Sequence, residues 1–285
     1  MIVVTGATGT IGRPLVDLLS RAGTPFTALV RNERHGRELG CRYVLGDFAE
    51  PDSLAAAFSG ADRVFLTSAG AVPTDGEQPM IAQQLAAITA ARRAGAEAIV
   101  KVSVWRAREG ALLAEGAHAR IERALAESGL NWASLQPSGF MQNFRTGAGA
   151  FTDNGDLIGA YGSGRVSYIG TRDIAACAAA LLAAAEPPAG THVLTGPVAL
   201  DHTEIAAKLS AWSGRTVRYI DLPPDEFAAK LTGQGLPAGF AADVAALYAE
   251  VAAGALEATT DTVERLTGRP PRSFDEFLAD LVPAG

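Results

Sequence analysis

The chain has 285 residues, of which 48% are hydrophobic and 19% are charged, and its formal net charge is −7. This composition excludes an intrinsically disordered protein, and no apolar run reaches the roughly 18 residues of a membrane span. An acidic chain without a basic cluster is also a poor nucleic-acid binder, because phosphate neutralisation supplies most of that affinity. No basic segment precedes the apolar start at Met1, so we expect no signal peptide and a cytoplasmic location.

The first half of the chain alternates strand and helix patterns, as a doubly wound parallel sheet requires. We predict strands at residues 2–5, 26–30, 42–45, 64–67, 98–102 and 132–136, and helices at 11–22, 54–58, 80–94 and 116–128. The predicted fold class is therefore α/β, with a Rossmann doubly wound, mostly parallel sheet. Connections are short except after the fourth and fifth strands and at 137–165, where we expect functional loops.

The second half is less regular. Thr171 is predicted to cap an Ala-rich helix at 174–185, before a strand at 192–195. Further helices are predicted at 201–212, 240–253 and 274–281, and a further strand at 217–220. We therefore predict a nucleotide-binding domain at 1–196 and a smaller, mainly helical substrate-binding lobe at 197–285. The loop insertion at 137–165 is expected to contribute to the substrate pocket.

Three glycines lead into the first helix. The segment from Gly6 to Gly12 reads G-A-T-G-T-I-G and directly follows a predicted strand. In this context Gly6 allows a tight turn, Gly9 lets the backbone approach a pyrophosphate, and Gly12 lets the helix pack closely. The free N–H groups of the helix N-terminus then favour a phosphate. The motif predicts a dinucleotide site, and an ordinary glycine-rich turn is the alternative.

The choice of dinucleotide depends on the residues after the second strand. An acid there would bind the ribose 2′-OH of NAD, whereas an arginine would bind the 2′-phosphate of NADP. Arg31 occupies this position and Arg34 is close to it. The forked guanidinium group suits phosphate, so we favour NADP(H). Glu33 is the contrary observation, and the alternative for Arg34 is a solvated loop charge.

Two further strand ends are candidates for the adenosine half of the site. Asp47 follows the third strand, where it would accept from the adenine amino group or cap the helix that begins near Pro51. Both interpretations remain open. The small residues at 67–70 end the fourth strand, where such a loop can run along the cofactor, and a plain strand terminus is the alternative.

Several other segments complete a family pattern, namely L-V-R-N, G-D-F, S-G-L-N-W-A-S-L-Q-P, V-S-Y-I-G-T-R-D-I-A-A and H-V-L-T-G-P. Together with the glycine motif they resemble the NmrA-like, atypical short-chain dehydrogenases/reductases, over nearly the whole chain. That family includes NADPH-dependent quinone reductases, ketone reductases of aromatic polyketide pathways, and NADP-binding regulators with little or no catalysis. The resemblance therefore implies a bound NADP(H) and leaves catalysis and regulation as alternatives.

The resemblance also implies individual cofactor positions. The glycine turn and the next two strand ends match through Gly6, Thr8, Gly9, Thr10, Ile11, Arg31, Asp47 and Phe48. The loops along the ribose and nicotinamide match through Ser68, Ala69, Gly70 and Ser103. The loop beside the nicotinamide matches from Pro137 to Asn143 and includes Phe140.

One departure from the family pattern concerns the proton donor. Typical short-chain reductases carry Tyr-x-x-x-Lys, whose tyrosine protonates the carbonyl oxygen, and no tyrosine of this chain is followed by lysine at that spacing. His118, four residues before Glu122, stands where relatives often place a lysine or histidine that faces the ribose. The resemblance makes His118 a cofactor contact first and a proton donor second. A surface or core histidine is the alternative.

The missing tyrosine restricts the substrate. Hydride transfer to a carbonyl leaves negative charge on oxygen, which positioned donors or acids usually stabilise. Without the tyrosine, the acceptor is either a quinone, whose reduced anion is delocalised, or a ketone activated by its own neighbouring phenol. Both are planar aromatic molecules. Ser103 is the candidate donor to the oxyanion, with a strand-end cap as the alternative.

Loop residues after the fifth and sixth strands suit a pocket for such a ligand, although each one singly is more often a core residue. The predicted substrate-binding residues are Trp105, Phe140, Met141, Asn143, Phe144 and Tyr161, with Phe151 nearby. Trp212 and Phe227 lie in helical patterns, and we expect them to pack in the core.

The leading hypothesis is an NADPH-dependent reductase of a polycyclic aromatic ketone, as in the tailoring of polyketide antibiotics, or of a quinone. We expect it to act as a monomer or homodimer. The alternative is a non-catalytic NADP(H)-sensing regulator that binds a partner protein. An isomerase or epimerase is a third reading, which the missing tyrosine disfavours.

Other catalytic classes lack their residues. His202 stands beside Asp201 but has no third partner, so we reject a hydrolase triad and interpret Asp201 as a helix cap. The remaining histidines and the two cysteines, Cys41 and Cys177, have no metal-ligand spacing. We therefore predict no metal site.

Overall fold

A computed structural model of the protein describes residues 1–74, 76–146 and 151–281. The strands are β1 (Ile2–Val4), β2 (Phe26–Val30), β3 (Tyr43–Leu45), β4 (Arg63–Leu66), β5 (Ala98–Val102), β6 (Asn131–Pro137), β7 (Leu157–Gly159), β8 (Gly190–Leu194) and β9 (Tyr219–Asp221). The helices are α1 (Gly12–Arg21), α2 (Glu33–Leu39), α3 (Pro51–Ala57), α4 (Pro79–Arg93), α5 (Leu113–Ala126), α6 (Asn143–Thr146), α7 (Thr171–Ala183), α8 (His202–Ser213), α9 (Pro224–Gly233), α10 (Ala238–Ala252), α11 (Thr262–Thr267) and α12 (Phe274–Ala279).

Seven parallel strands form the central sheet in the order β3-β2-β1-β4-β5-β6-β8. From β1 the chain builds β2 and β3 toward one edge of the sheet. It then crosses back to β4, on the other side of β1, and builds the second half of the sheet from there. In such sheets the loops diverge at the carboxyl ends of the strands where the order reverses, and a ligand crevice opens there. The predicted Rossmann α/β fold is confirmed.

Helices cover both faces of the sheet, which explains why its central strands are apolar throughout. On one face, α1 and α7 pack around a core that includes Leu15, Val100 and Ala178. On the other face, α3, α4 and α5 pack around a second core that includes Phe58 and Ile121. Among the described helices, none has the length and apolar character that crossing a bilayer requires.

A second group of elements packs beside the carboxyl edge of β6. Strand β7, which comes from the 137–165 segment, pairs in parallel with β9 from the C-terminal part of the chain. Buried residues of both parts share one core, in which Phe144 and Leu157 pack with Ile205, Leu209 and Phe274. Because the insertion and the C-terminal elements share a core, the insertion is fixed against the helices that follow.

The predicted elements agree with the structure best where strands are buried. Strands β2 and β5 have their predicted bounds. The elements that were not predicted are each short or carry little apolar periodicity, namely α2, α6, β7, α9 and α11. The interpretation of Thr171 as an N-cap is wrong. Gly170 holds that position, Thr171 is the first helical residue, and its N–H donates to Gln142 Oε1 at 3.1 Å.

The cap predicted at Asp201 is confirmed. Its side chain accepts from the N–H of Glu204, whose carboxylate accepts in turn from the N–H of Asp201, and this forms a capping box at the start of α8. Phe227 is buried in a small cluster between α9 and α10, and Trp212 packs against the shared core, so both packing predictions are also confirmed.

Helix α1 begins in contact with the turn that precedes it. A Cβ at Gly12 would overlap the backbone carbonyl of Gly6, and the neighbouring Ala7 backbone is almost as near. The chain therefore reverses from β1 into α1 within a few residues, and only a residue without a side chain fits at the crossing. This close approach places the start of α1 at the sheet edge where the crevice opens.

We predict that Gly12→Ala lowers stability by about 1–3 kcal/mol, because the new methyl group must displace backbone rather than a flexible side chain. Thermal unfolding followed by circular dichroism measures the effect. The matched control is Gly233→Ala in α9, where a Cβ meets nothing within 4 Å. The control should leave the melting temperature unchanged or slightly raised, and equal melting temperatures for the two variants would contradict the packing argument.

Candidate functional site

The turn between β1 and α1 presents an uncapped helix N-terminus at the carboxyl edge of the sheet. Gly6 has a φ of +57°, and a Cβ there would lie 2.6 Å from Thr67 Cγ2, so conformation and space both require glycine. The residues Thr8, Gly9 and Thr10 are exposed. The N-cap of α1, Ile11, offers no side-chain acceptor, and the first turn carries no acid. An anionic phosphate fits this position, because helix-start N–H groups favour negative charge.

A cleft of about 750 Å³ opens beside this turn. Its volume lies in the range of ligand sites. Arg13, Arg21 and Arg145 line it without forming an ion pair within the described residues, whereas Arg172 and Arg272 share the carboxylate of Asp280. The cleft is therefore positively charged where it meets the glycine turn.

Arg31 lies exposed at the end of β2 and has no ion-pair partner within the described part of the chain. The next residue, Asn32, caps α2 by accepting from the N–H of His35 at 3.0 Å. The carboxylate of Glu33 pairs with Arg37 at 3.1 Å. Because it is already paired, Glu33 argues less strongly against a 2′-phosphate at this position. Arg34 pairs with Glu38 along the same helix and also stays exposed. Of the two predicted arginines, Arg31 is therefore the one without an ion-pair partner among the described residues.

The other predicted adenosine-side residues lie along the same edge. Asp47 accepts from the N–H of Ala49 at 2.9 Å and so closes a loop turn, while Glu50 is the N-cap of α3. The helix-cap interpretation of Asp47 is therefore wrong, and the adenine interpretation stays a prediction. Phe48 packs against the core beneath α3. Ser68 accepts from Gln84 Nε2 at 2.8 Å, which fixes the exposed Ala69 and Gly70 beyond β4.

A buried polar network lies beneath the ends of β5 and β6. Lys101 Nζ lies 2.7 Å from His118 Nδ1 on α5 and donates to the carbonyl oxygen of Val102 at 3.1 Å. One turn farther along α5, Glu122 accepts from Ser134 Oγ and from Gln136 Nε2. The structure thus brings His118 together with a lysine.

Burial sets the protonation of this network. It lowers the pKa of Lys101 to about 7, against the opposing effect of the Glu122 carboxylate. Burial and the neighbouring Lys101 together hold the pKa of His118 well below its ordinary value. At neutral pH the imidazole is therefore uncharged, and the ammonium of Lys101 gives up its proton far more readily than an exposed lysine does.

Ser103 directly follows β5, two residues beyond Lys101. Its N–H donates to the carbonyl oxygen of Leu135 at 2.7 Å. Its Oγ is buried and has no hydrogen-bond partner among the described residues, so the hydroxyl does not act as a strand-end cap. An unsatisfied buried hydroxyl costs about 1–3 kcal/mol. A bound molecule that accepts from Ser103 would remove that cost.

The loop after β5 is tied to the C-terminal elements. Its half-buried Trp105 donates its backbone N–H to the carbonyl oxygen of Pro137 at 2.9 Å. Arg106 has a φ of +68°, a strained conformation for a residue with a side chain. Arg106 and Arg108 both pair with Glu250 on α10, which holds the strained loop in place.

The residues predicted to bind substrate occupy different environments. Phe140 is half-buried against the first core and forms a β-bridge with Ile169. Met141 and Phe144 are buried in the shared core, and Tyr161 stacks between His202 and Tyr248. Asn143, Phe144 and Tyr161 border a cavity of about 40 Å³, which is far smaller than a planar aromatic ligand. A substrate role for these residues stays a prediction.

His202 is a packing residue. Burial lowers its pKa to about 4, its Nε2 lies 3.1 Å from Tyr168 Oη, and its ring stacks on Tyr161. Its neighbour Asp201 is committed to the helix cap and to an ion pair with Arg165. Within the described residues, no group of three His, Cys, Asp or Glu side chains could hold a metal ion.

Two features of this region were not predicted from the sequence. One is Lys101, whose only signal was a single lysine in the otherwise apolar strand A-I-V-K-V. The other is the clamp between Arg106 and Glu250, which joins residues 144 positions apart and leaves no local signal.

Known proteins resemble this chain over nearly its whole length. A family model described as NAD(P)H-binding matches residues 6–185. The chain is 38% identical to an NAD(P)H azoreductase of Xenophilus azovorans, covering 97% of this chain and 96% of the relative. The crystal structure of the NADPH-dependent quinone oxidoreductase 2 of Escherichia coli, complexed with NADPH, superposes with a TM-score of 0.85 at 29% identity, covering 98% and 99% of the two chains. The triphenylmethane reductase of Citrobacter sp., complexed with NADP(H), gives a TM-score of 0.82 at 26% identity, covering 98% and 99%.

We predict that Glu250→Gln loosens the loop at 104–112 with little effect on global stability. The two ion pairs are partly exposed, so their loss should cost less than about 1 kcal/mol overall. The released loop should nevertheless exchange its amide hydrogens roughly fivefold faster, because the strained Arg106 is no longer held. Hydrogen exchange with mass spectrometry measures this difference.

The control is Asp275→Asn, which breaks the exposed Lys208–Asp275 pair between α8 and α12. It should leave exchange in the loop unchanged. Unchanged exchange in Glu250→Gln as well would show that the clamp does not hold the loop.

Proposed function

We propose, from the membership of this chain in the NAD(P)H-binding family as an NmrA-like atypical short-chain dehydrogenase/reductase, that it is an NADPH-dependent reductase. Its proposed substrates are flat conjugated acceptors, with quinones as the preferred class. The single observation that carries the choice of acceptor is the placement of the tyrosines. Tyr43 lies on β3, and the other four lie in the clusters that the C-terminal elements share with the insertion and with the segment before α7. Helix α5, on which the proton donor was expected, carries His118 and no tyrosine.

The residues at the carboxyl edge fit the cofactor. The uncapped start of α1 and the glycine turn suit its pyrophosphate, and Arg31 suits the 2′-phosphate, for which a planar guanidinium is the best partner. The unpartnered hydroxyl of Ser103 suits a polar atom of the nicotinamide half or of the acceptor. When bound, NADPH supplies the hydride, and the protein contributes orientation and a dry environment.

The choice between quinone and ketone follows from how weak the acids are that could directly contact the reacting oxygen. An ordinary alkoxide requires a strong donor next to the reacting oxygen. The Ser103 hydroxyl and the neutral imidazole of His118 are both weaker acids than a tyrosine hydroxyl, and no tyrosine lies on α5. A quinone needs less help, because the charge of its reduced form is delocalised. The similar proteins named azoreductase and quinone oxidoreductase also favour a conjugated acceptor over the polyketide ketone, which remains the narrower alternative.

The proposed function is tested by following the absorbance of NADPH in the presence of substituted naphthoquinones, an azo dye and a polycyclic aromatic ketone. We expect quinone-dependent oxidation that saturates with quinone concentration and is absent without protein. Inertness toward every acceptor, in a protein shown to bind NADPH, would contradict the reductase proposal and favour the sensor alternative.

The cofactor assignment predicts that Arg31→Ala raises the Michaelis constant for NADPH roughly tenfold to a hundredfold, because charge-assisted hydrogen bonds to the 2′-phosphate are lost. The constant for NADH, which lacks that phosphate, should change less than about threefold. Arg92→Ala removes an exposed arginine at the end of α4 and is the matched control. Equal effects of Arg31→Ala on both cofactors would remove the assignment.

A further inference from the structure

Lys101 is a fully buried lysine at the centre of the sheet. Its residue exposure is 0%, and in the sheet register it lies between Leu66 of β4 and Ser134 of β6. A buried ammonium group costs several kcal/mol unless other groups satisfy it. The described groups that satisfy it are the ring of His118 and the carbonyl oxygen of Val102.

The contact between Lys101 and His118 determines which ring nitrogen carries the proton. An ammonium group has donors only, so Nδ1 of His118 must accept from it. The proton of the neutral imidazole then lies on Nε2. The lysine thus fixes the tautomer of His118, whose Nε2–H is then available as a hydrogen-bond donor.

Within the described part of the chain, two titratable groups act on Lys101, and both come from α5. They are His118 and, one turn farther on, Glu122. The carboxylate of Glu122 is held by the neutral side chains of Ser134 and Gln136 on β6. The residue opposite Lys101 on β4 is the apolar Leu66, and the polar group that α4 directs to the neighbouring loop is the neutral amide of Gln84. Among the described residues, the titratable group in direct contact with the ammonium of Lys101 is therefore His118.

We propose that Lys101 and His118 form a buried proton relay that protonates the reduced acceptor in place of the missing tyrosine. This inference rests on the proposed reductase function. In the relay step, the Nε2–H bond of His118 breaks as an O–H bond forms on the acceptor anion. At the same time a Nζ–H bond of Lys101 breaks and an Nδ1–H bond forms. Lys101 becomes neutral and His118 stays neutral as the other tautomer.

The relay returns to its starting state by taking one proton from water at Nε2 and passing the Nδ1 proton back to Lys101. One hydride and one proton have then been added to the acceptor, so the step is balanced. Lys101 acts through His118 and is a positioning residue and proton reserve. Ser103 directly follows β5, and its unsatisfied hydroxyl provides a donor that can orient the same acceptor oxygen.

The most direct test reads the tautomer of His118 and needs no substrate. In protein labelled with ¹⁵N-histidine, long-range ¹H–¹⁵N spectra distinguish a protonated from an unprotonated ring nitrogen, and His118→Gln assigns the signals. In the wild type at pH 6 we expect Nδ1 unprotonated and Nε2 protonated. The Nδ1 shift should then change as the pH passes through about 7, the pKa of Lys101. In Lys101→Met this titration should vanish.

The kinetic test separates the relay from a merely structural lysine. Wild-type turnover of a saturating quinone should fall as the pH rises through about 7, because the ammonium that refills His118 loses its proton. Lys101→Met should be roughly a hundredfold slower at pH 6 and should lack this descending limb. Lys230→Met, which removes a lysine on α9, is the matched control and should behave as the wild type.

His118→Gln provides a second variant in case Lys101→Met does not fold, because glutamine still accepts from the ammonium but cannot relay a proton. It should show the same flat pH profile, and the double variant should be no slower than either single one. A protonated Nδ1 in the wild type, or a descending limb that survives in Lys101→Met, would overturn the relay. If no acceptor is reduced but the tautomer titrates as expected, the proposed function fails and the Lys101–His118 coupling stands.

Discussion

The close approach of α1 to the backbone of Gly6 is the constraint on which the site depends. Since Gly12 has no side chain, the helix can begin against the turn, and its first N–H groups reach the carboxyl edge of the sheet. The parallel arrangement then brings the ends of β2, β4 and β5 to the same edge, together with Arg31, Ser68 and Ser103. The topology alone thus places the start of α1 and the arginine at the end of β2 along the same edge.

Electrostatics divides this edge into two regions. On the side of α1 most of the arginines that line the cleft are exposed, and their positive charge suits a cofactor that carries several negative charges. Beneath the end of β5 the polar groups are buried, with Lys101 in contact with the neutral His118 and under the influence of the Glu122 carboxylate. The first region suits binding through charge, and the second suits proton transfer, because burial moves the pKa of Lys101 close to neutrality.

The sequence allowed the first region to be predicted, because its signals are local. A glycine at a crossing, an arginine after a strand and the alternation of strand and helix each follow from a few neighbouring residues. The buried network could not be predicted in the same way. Nothing in A-I-V-K-V shows that the lysine will meet a histidine 17 residues later, because that contact depends on how α5 docks on the sheet. The predicted substrate residues illustrate the same limit, since Phe144 and Tyr161 were recognised as aromatic loop residues but pack with elements more than 40 positions away.

The central claim is that the carboxyl edge of the sheet holds a 2′-phosphorylated dinucleotide. Calorimetric titration of the protein with NADP⁺ and with NAD⁺, at the same low salt concentration, tests it most directly. The account predicts one site per chain for NADP⁺ and at least roughly tenfold weaker binding of NAD⁺, the difference that one phosphate–guanidinium contact supplies. Equal affinity for the two, or no binding of either, would contradict it.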